Sequence, residues 1–147
     1  MYLVDTNVLS AGAPTKSRPL PDLAGWMDRN SERLFLSVIT VAEIEDGIAK
    51  SRREGASRKA NRLAEWLETL VHLYSARILL LDVPIARLLG KLADHAHGSG
   101  HAPGFADLTI AATARFHGYT VLTRNLRHFR VLDVAAHDPF ESLPAEI

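Results

Sequence analysis

Apolar residues along this chain alternate between short unbroken runs and longer stretches in which they recur every three or four positions. The runs are Met1-Tyr2-Leu3-Val4, Leu34-Phe35-Leu36, Ile78-Leu79-Leu80-Leu81 and Thr120-Val121-Leu122. Each is too short for a helix and lacks the period-two alternation of a half-exposed sheet, so each predicts a buried strand. Val131-Leu132 is a shorter fifth candidate. Helical spacing appears between the runs. Leu23, Trp26 and Met27 predict a helix over Asp22–Arg29, and Val41, Ile44 and Ile48 predict one from Val38 or Thr40 to Arg53. Leu63, Trp66, Leu67 and Leu70 mark a third helix from Ala56 to Tyr74, across a turn at Gly55. A fourth begins around Pro84, where a missing N–H costs little, and runs to about His97. Phe105–His117 is apolar almost all round, as suits a helix packed between neighbours, and Gly118 ends it. Residues 15–21 and 98–104 predict loops, and Asp138-Pro139-Phe140 an irregular tail.

Strands alternating with helices define the α/β class. The expectation is a short, mostly parallel sheet with helices on both faces. The two helices joined at Gly55 predict a hairpin arm projecting from that sheet, with Trp66 available for self-association.

A length of 147 residues suits one domain, 1–147, with a proper core. An apolar fraction of 47% and a charged fraction of 23% exclude a disordered chain. Lys plus Arg equal Asp plus Glu at 17 each, so any case for nucleic acid must rest on local patches. Arg52, Arg53, Arg58, Lys59 and Arg62 form one such cluster, read first as a solvated helix face. Cysteine is absent, which excludes disulfides, thiolate metal sites and cysteine nucleophiles and fits a reducing cytoplasm. No charged start precedes an apolar run, so no signal peptide is expected. No apolar stretch approaches the ~18 residues of a membrane span.

The polar residues that interrupt this pattern carry the candidate chemistry. Asp5 closes the first strand, Glu43 lies in the helix after the second, Asp107 opens the apolar helix, and Asn125 follows the fourth strand. In a parallel sheet all strand-to-helix junctions lie on one edge, which is where open α/β sheets bind ligands. Asp5 alone reads as a helix cap. Three carboxylates and a carboxamide on one rim read differently, because clustered carboxylates repel one another and resist burial without a compensating cation. Oxygen donors point to a hard ion, Mg²⁺ or Mn²⁺, which can lower the pKa of a bound water and steady a phosphodiester under attack.

The stretches LVDTNVLS at the start, LSVITVAEIEDGI around Glu43, ADLTIAATARFHG around Asp107 and VLTRN at the fourth strand together resemble the PIN-domain endoribonucleases of the VapC/FitB toxin group. They fall in the family's order and spacing and span essentially the whole chain. The resemblance implies metal-dependent cleavage of RNA, association into dimers or larger toxin–antitoxin assemblies, and inhibition by a cognate antitoxin. By motif position Asp5, Glu43 and Asp107 become metal-binding acids, and Asn125 joins them in the catalytic set. Thr6, Asn7, Thr123 and Arg124 become supporting polar residues. The family often has a fourth acid at the position of Asn125 or three residues on, and the second of these is His128 here. Neither carries a carboxylate, which bears on whether a second metal is held.

Other groups compete less well. His95, His97 and His101 with Asp94 fit no common zinc spacing. Glu45 and Asp46 are expected to face solvent or the antitoxin, and Arg124, Arg127 and Arg130 to steer RNA phosphates or to form surface ion pairs. No Gly-rich phosphate loop is present. A phosphatase of the haloacid dehalogenase type would need an Asp where Asn7 stands. A catalytically silent binding module is the remaining alternative, with Asn125 as one step toward lost chemistry.

Overall fold

The computed structural model describes residues 1–16 and 21–146, so the core of the loop expected at 15–21 lies outside the described residues. These residues form strands β1 (Tyr2–Val4), β2 (Leu34–Ser37), β3 (Ile78–Leu79), β4 (Thr120–Leu122) and β5 (Ala136–His137). They also form helices α1 (Thr6–Ser10), α2 (Pro21–Arg29), α3 (Val38–Arg53), α4 (Ser57–Tyr74), α5 (Val83–Gly98), α6 (Phe105–His117) and α7 (Leu126–Arg130). The strands make one sheet in the order β3-β2-β1-β4-β5, and every pairing is parallel.

Burial on both faces explains the unbroken apolar runs. Side chains alternate along each strand, so Val4, Leu34, Leu36 and Leu122 enter one core while Leu3 and Val121 enter the other. The first core is closed by Val8 and Leu9 of α1, Leu23 and Trp26 of α2, Ile44 and Ile48 of α3, and Ala60, Leu67 and Leu70 of α4. The α3–α4 hairpin is therefore anchored on the sheet by both its helices, and Trp66 packs against this same layer. The second core is closed by Ile85 and Leu92 of α5, by five residues of α6, and by Phe129 of α7. Among the described residues, no helix is long and apolar enough to cross a membrane.

Local chemistry sets the helix starts. Asp5, Ser37 and Asp82 cap α1, α3 and α5 through side-chain oxygens that accept N–H groups of Thr6, Ile39 and Ile85. Gly118 ends α6 in the left-handed region at φ 72°, where a Cβ would be strained.

Two expectations are corrected. Val131-Leu132 is not the fifth strand: Leu132 N–H donates to Phe129 O at 3.1 Å, closing the turn after α7, and the Leu132 side chain is fully buried. The strand is Ala136–His137, held by Val121 N–H to Ala135 O and Thr123 N–H to His137 O. The third strand stops at Leu79 because Leu80 turns outward, 68% exposed.

Candidate active site

From β1 the chain passes to one side of the sheet, to β2 and β3, and it later fills the other side with β4 and β5. The carboxyl ends of β1 and β4 thus flank a topological switch point, the place where a parallel sheet opens a crevice. Asp5 follows β1 there and Thr123 follows β4. Asp5 N–H donates to Leu122 O at 2.9 Å, which continues the ladder one residue past the strand and fixes the carboxyl group at the rim.

Asp5 is only 5% exposed. Its Oδ1 accepts the Thr6 N–H at 2.8 Å and its Oδ2 accepts the Thr123 hydroxyl at 2.8 Å. The Thr123 oxygen in turn accepts the Asn125 N–H at 3.0 Å and faces Asn7 Nδ2 at 3.5 Å. Asn7 Oδ1 accepts the Arg124 N–H at 3.2 Å, so the turns after β1 and β4 are tied together.

Glu43 is exposed at its α3 position, and its Oε1 accepts the Thr6 hydroxyl at 2.6 Å. Thr6 Oγ1 also lies 3.0 Å from Thr40 Oγ1. The single Thr6 proton goes to the carboxylate, the stronger acceptor, so Thr40 donates to Thr6. Thr40 is fully buried and was not singled out in the sequence. Its signal was position: it precedes Glu43 by three residues and so shares its helix face.

Asp107 is half-buried in the first turn of α6, and its Oδ2 lies 3.0 Å from His128 Nδ1 on α7. The position three residues beyond Asn125 therefore reaches the acids in this chain, through an imidazole. Asn125 contributes its backbone N–H to Thr123, and its exposed side chain makes no cap bond to α7. The guanidinium of Arg124 turns toward the tail and stacks over the Phe140 ring at 4.4 Å from its centroid. Arg127 and Arg130 are exposed on α7, Glu45 and Asp46 on α3, and His95, His97 and His101 around the end of α5.

Electrostatics connect the three acids. The Asp5 carboxyl is pushed up to about 6, mainly by burial. The Thr123 hydroxyl and the Thr6 N–H oppose the rise, and the charges of Asp107 and Glu43 add to it. Repulsion between the acids is present, as expected, but burial leads. Among the described residues, no three His, Asp or Glu side chains are already gathered at ligand spacing. Each acid is instead held by its own partner: Thr123 and Thr6 for Asp5, Thr6 for Glu43, His128 for Asp107. The donor set is nevertheless chemically that of a hard divalent cation, three carboxylates within electrostatic reach of one another.

A family model described as PIN domain matches residues 2–134. The chain is 37% identical over 142 residues to Toxin FitB of Neisseria gonorrhoeae, a match covering 95% of this chain and 99% of that protein. It is 37% identical over 145 residues to VapC ribonuclease Y4jK of Sinorhizobium fredii, covering 96% and 99%. The crystal structure of FitAcB from Neisseria gonorrhoeae matches with a TM-score of 0.82 at 37% identity, covering 95% of this chain and 99% of that one.

Proposed function

This chain belongs to the PIN-domain family, and from that premise we propose that it is a Mg²⁺- or Mn²⁺-dependent endoribonuclease, the toxin of a toxin–antitoxin pair. The observation that carries the reading is that the Asp5 carboxyl, at the switch point of a parallel sheet, lies within electrostatic reach of both Glu43 and Asp107 and is linked to Glu43 through Thr6. The similarity to Toxin FitB and to VapC ribonuclease Y4jK supports both the activity and the biological role.

Asp5, Glu43 and Asp107 would hold the cation, which would supply positive charge against the phosphodiester and a lower pKa for the attacking water. The protein's own groups prepare the site. The Thr123 hydroxyl and Thr6 N–H grip opposite oxygens of Asp5, so its carboxylate enters the site in one orientation. The Thr40-to-Thr6 chain directs Glu43, whose helix position alone would leave it free to swing into solvent. Asn7 joins the turn after β1 to Thr123 and Arg124 after β4, which steadies the part of the rim that carries Asp5. Exposed Arg127 and Arg130 beside that rim give incoming RNA phosphates a local positive patch that the balanced net charge does not.

The antitoxin has an apolar seat available. A groove of about 580 Å³ between α1, α2 and α4 is lined by Val8, Leu9, Leu23, Met27, Trp66 and Leu70. One of its walls is the later part of α1, the helix that Asp5 caps. An antitoxin arginine entering the cluster would replace the cation electrostatically. Homodimers or a larger toxin–antitoxin assembly in the cytoplasm complete the proposal.

The test is cleavage of RNA by purified protein with Mg²⁺ or Mn²⁺, beside an EDTA control and Glu43→Gln. Cutting is expected to disappear in both controls. Undiminished cutting in either would overturn the metal mechanism, and harmless expression of soluble, active protein in a bacterial host without the antitoxin would overturn the toxin assignment.

A further inference from the structure

We propose that His128 is itself a ligand of the cation site, giving this chain a mixed nitrogen–oxygen site that favours Mn²⁺ over Mg²⁺. The inference rests on the reading above, in which Asp107 is a cation ligand.

Three observations carry it. His128 Nδ1 lies 3.0 Å from Asp107 Oδ2. Two adjacent ligands of an octahedral ion, each at about 2.1 Å, stand about 3.0 Å apart by simple geometry. The pair can thus share an ion with little change in its spacing. The backbone that carries the imidazole is also fixed. The next residue, Phe129, is fully buried in the core beneath α6, and the His128 N–H donates to Asn125 O at 3.0 Å, which fixes the turn that presents the ring. Finally, the His128 side chain is 51% exposed and that of Asp107 24%, so the pair is open to solvent and to an arriving hydrated ion. Asn125, the other residue at this end of the site, offers only a neutral carboxamide that donates to none of the three acids.

The chemistry follows from the donor. An all-carboxylate site suits Mg²⁺, whereas imidazole is a softer donor that transition-metal ions accept more readily. A neutral imidazole also adds no negative charge to the three carboxylates, so it contributes little to an ion held purely by electrostatics. An imidazole that only steadied Asp107 through a hydrogen bond would leave the ion's preference unchanged.

Pulsed EPR of Mn²⁺ bound to the tag-free full chain distinguishes the two arrangements. Direct imidazole coordination is expected to give a nitrogen coupling that vanishes in His128→Asp and His128→Ala. In parallel calorimetric titrations, His128→Asp should lower the ratio of Mn²⁺ to Mg²⁺ affinity at least tenfold, by tightening Mg²⁺ and weakening Mn²⁺. Bound Mn²⁺ without nitrogen coupling, or a coupling that survives in both variants, would overturn the His128 assignment and leave the nuclease reading standing. No bound Mn²⁺ at all would overturn both.

Discussion

Asp5→Asn is the perturbation for which the geometry gives a magnitude. Without metal, burial pushes the Asp5 carboxyl up to about 6 from an ordinary value of 3.8. The folded state therefore holds this proton to higher pH than the unfolded chain does. Its contribution is neutral below about pH 4, and stability falls as pH rises from there through 6. About two pH units at 1.36 kcal/mol each cost the folded protein roughly 3 kcal/mol by pH 8. Asn keeps the shape and the acceptor for the Thr6 N–H but carries no charge. Its amide faces the Thr123 oxygen, so that buried hydroxyl must turn away and lose its acceptor, at a cost of about 1 kcal/mol. Without metal the variant should be roughly 0.5 kcal/mol less stable than the parent at pH 4 and about 2 kcal/mol more stable at pH 8, with the curves crossing between pH 4 and 5. Urea unfolding in EDTA at half-unit steps from pH 4 to 8 measures this, and groups remote from Asp5 cancel in the difference between the two proteins. A constant difference across the range, or a variant that loses ground as pH rises, would refute the reasoning. Added Mg²⁺ should stabilise the parent by mass action and the variant much less.

Two further outcomes are expected. Asn125→Asp returns a carboxylate to the rim beside Thr123 and should tighten Mg²⁺ binding in calorimetry; equal affinities for the two proteins would place this side chain away from the ion. Phe129→Ala empties a fully buried position beneath α7 and should cost about 3–5 kcal/mol in urea unfolding; a loss below about 1 kcal/mol would mean that α7 is not anchored through this ring.

The sequence was informative wherever one physical requirement dominated. Strands buried on both faces must be apolar throughout, so β1, β2 and β4 stood out as runs, and Asp5 was conspicuous for ending one of them. The fifth strand was misplaced because Val131-Leu132 has strand-like residues doing a helix turn's work, while Ala136–His137 pairs through backbone groups that leave no mark on the side chains. The same limit hid Thr40, whose role depends on two hydroxyls meeting across 34 residues. The charge cluster was legible, but the main cause of the Asp5 shift was not: repulsion can be counted from acids in a sequence, whereas burial depends on how closely the rim packs. His128 could be recognised as the place where an acid was missing. Its approach to Asp107 required the relative placement of α6 and α7.

The central claim is that acids from separate junctions share one cation at the switch point. Substoichiometric Mn²⁺ added to ¹⁵N-labelled protein tests it directly, because the ion broadens amide signals only around its own site. Broadening is predicted at residues 5–7, 43, 107 and 123–128 together, and it should be lost in Asp107→Asn. Broadening centred on residues 94–101, or spread without a focus, would contradict the account.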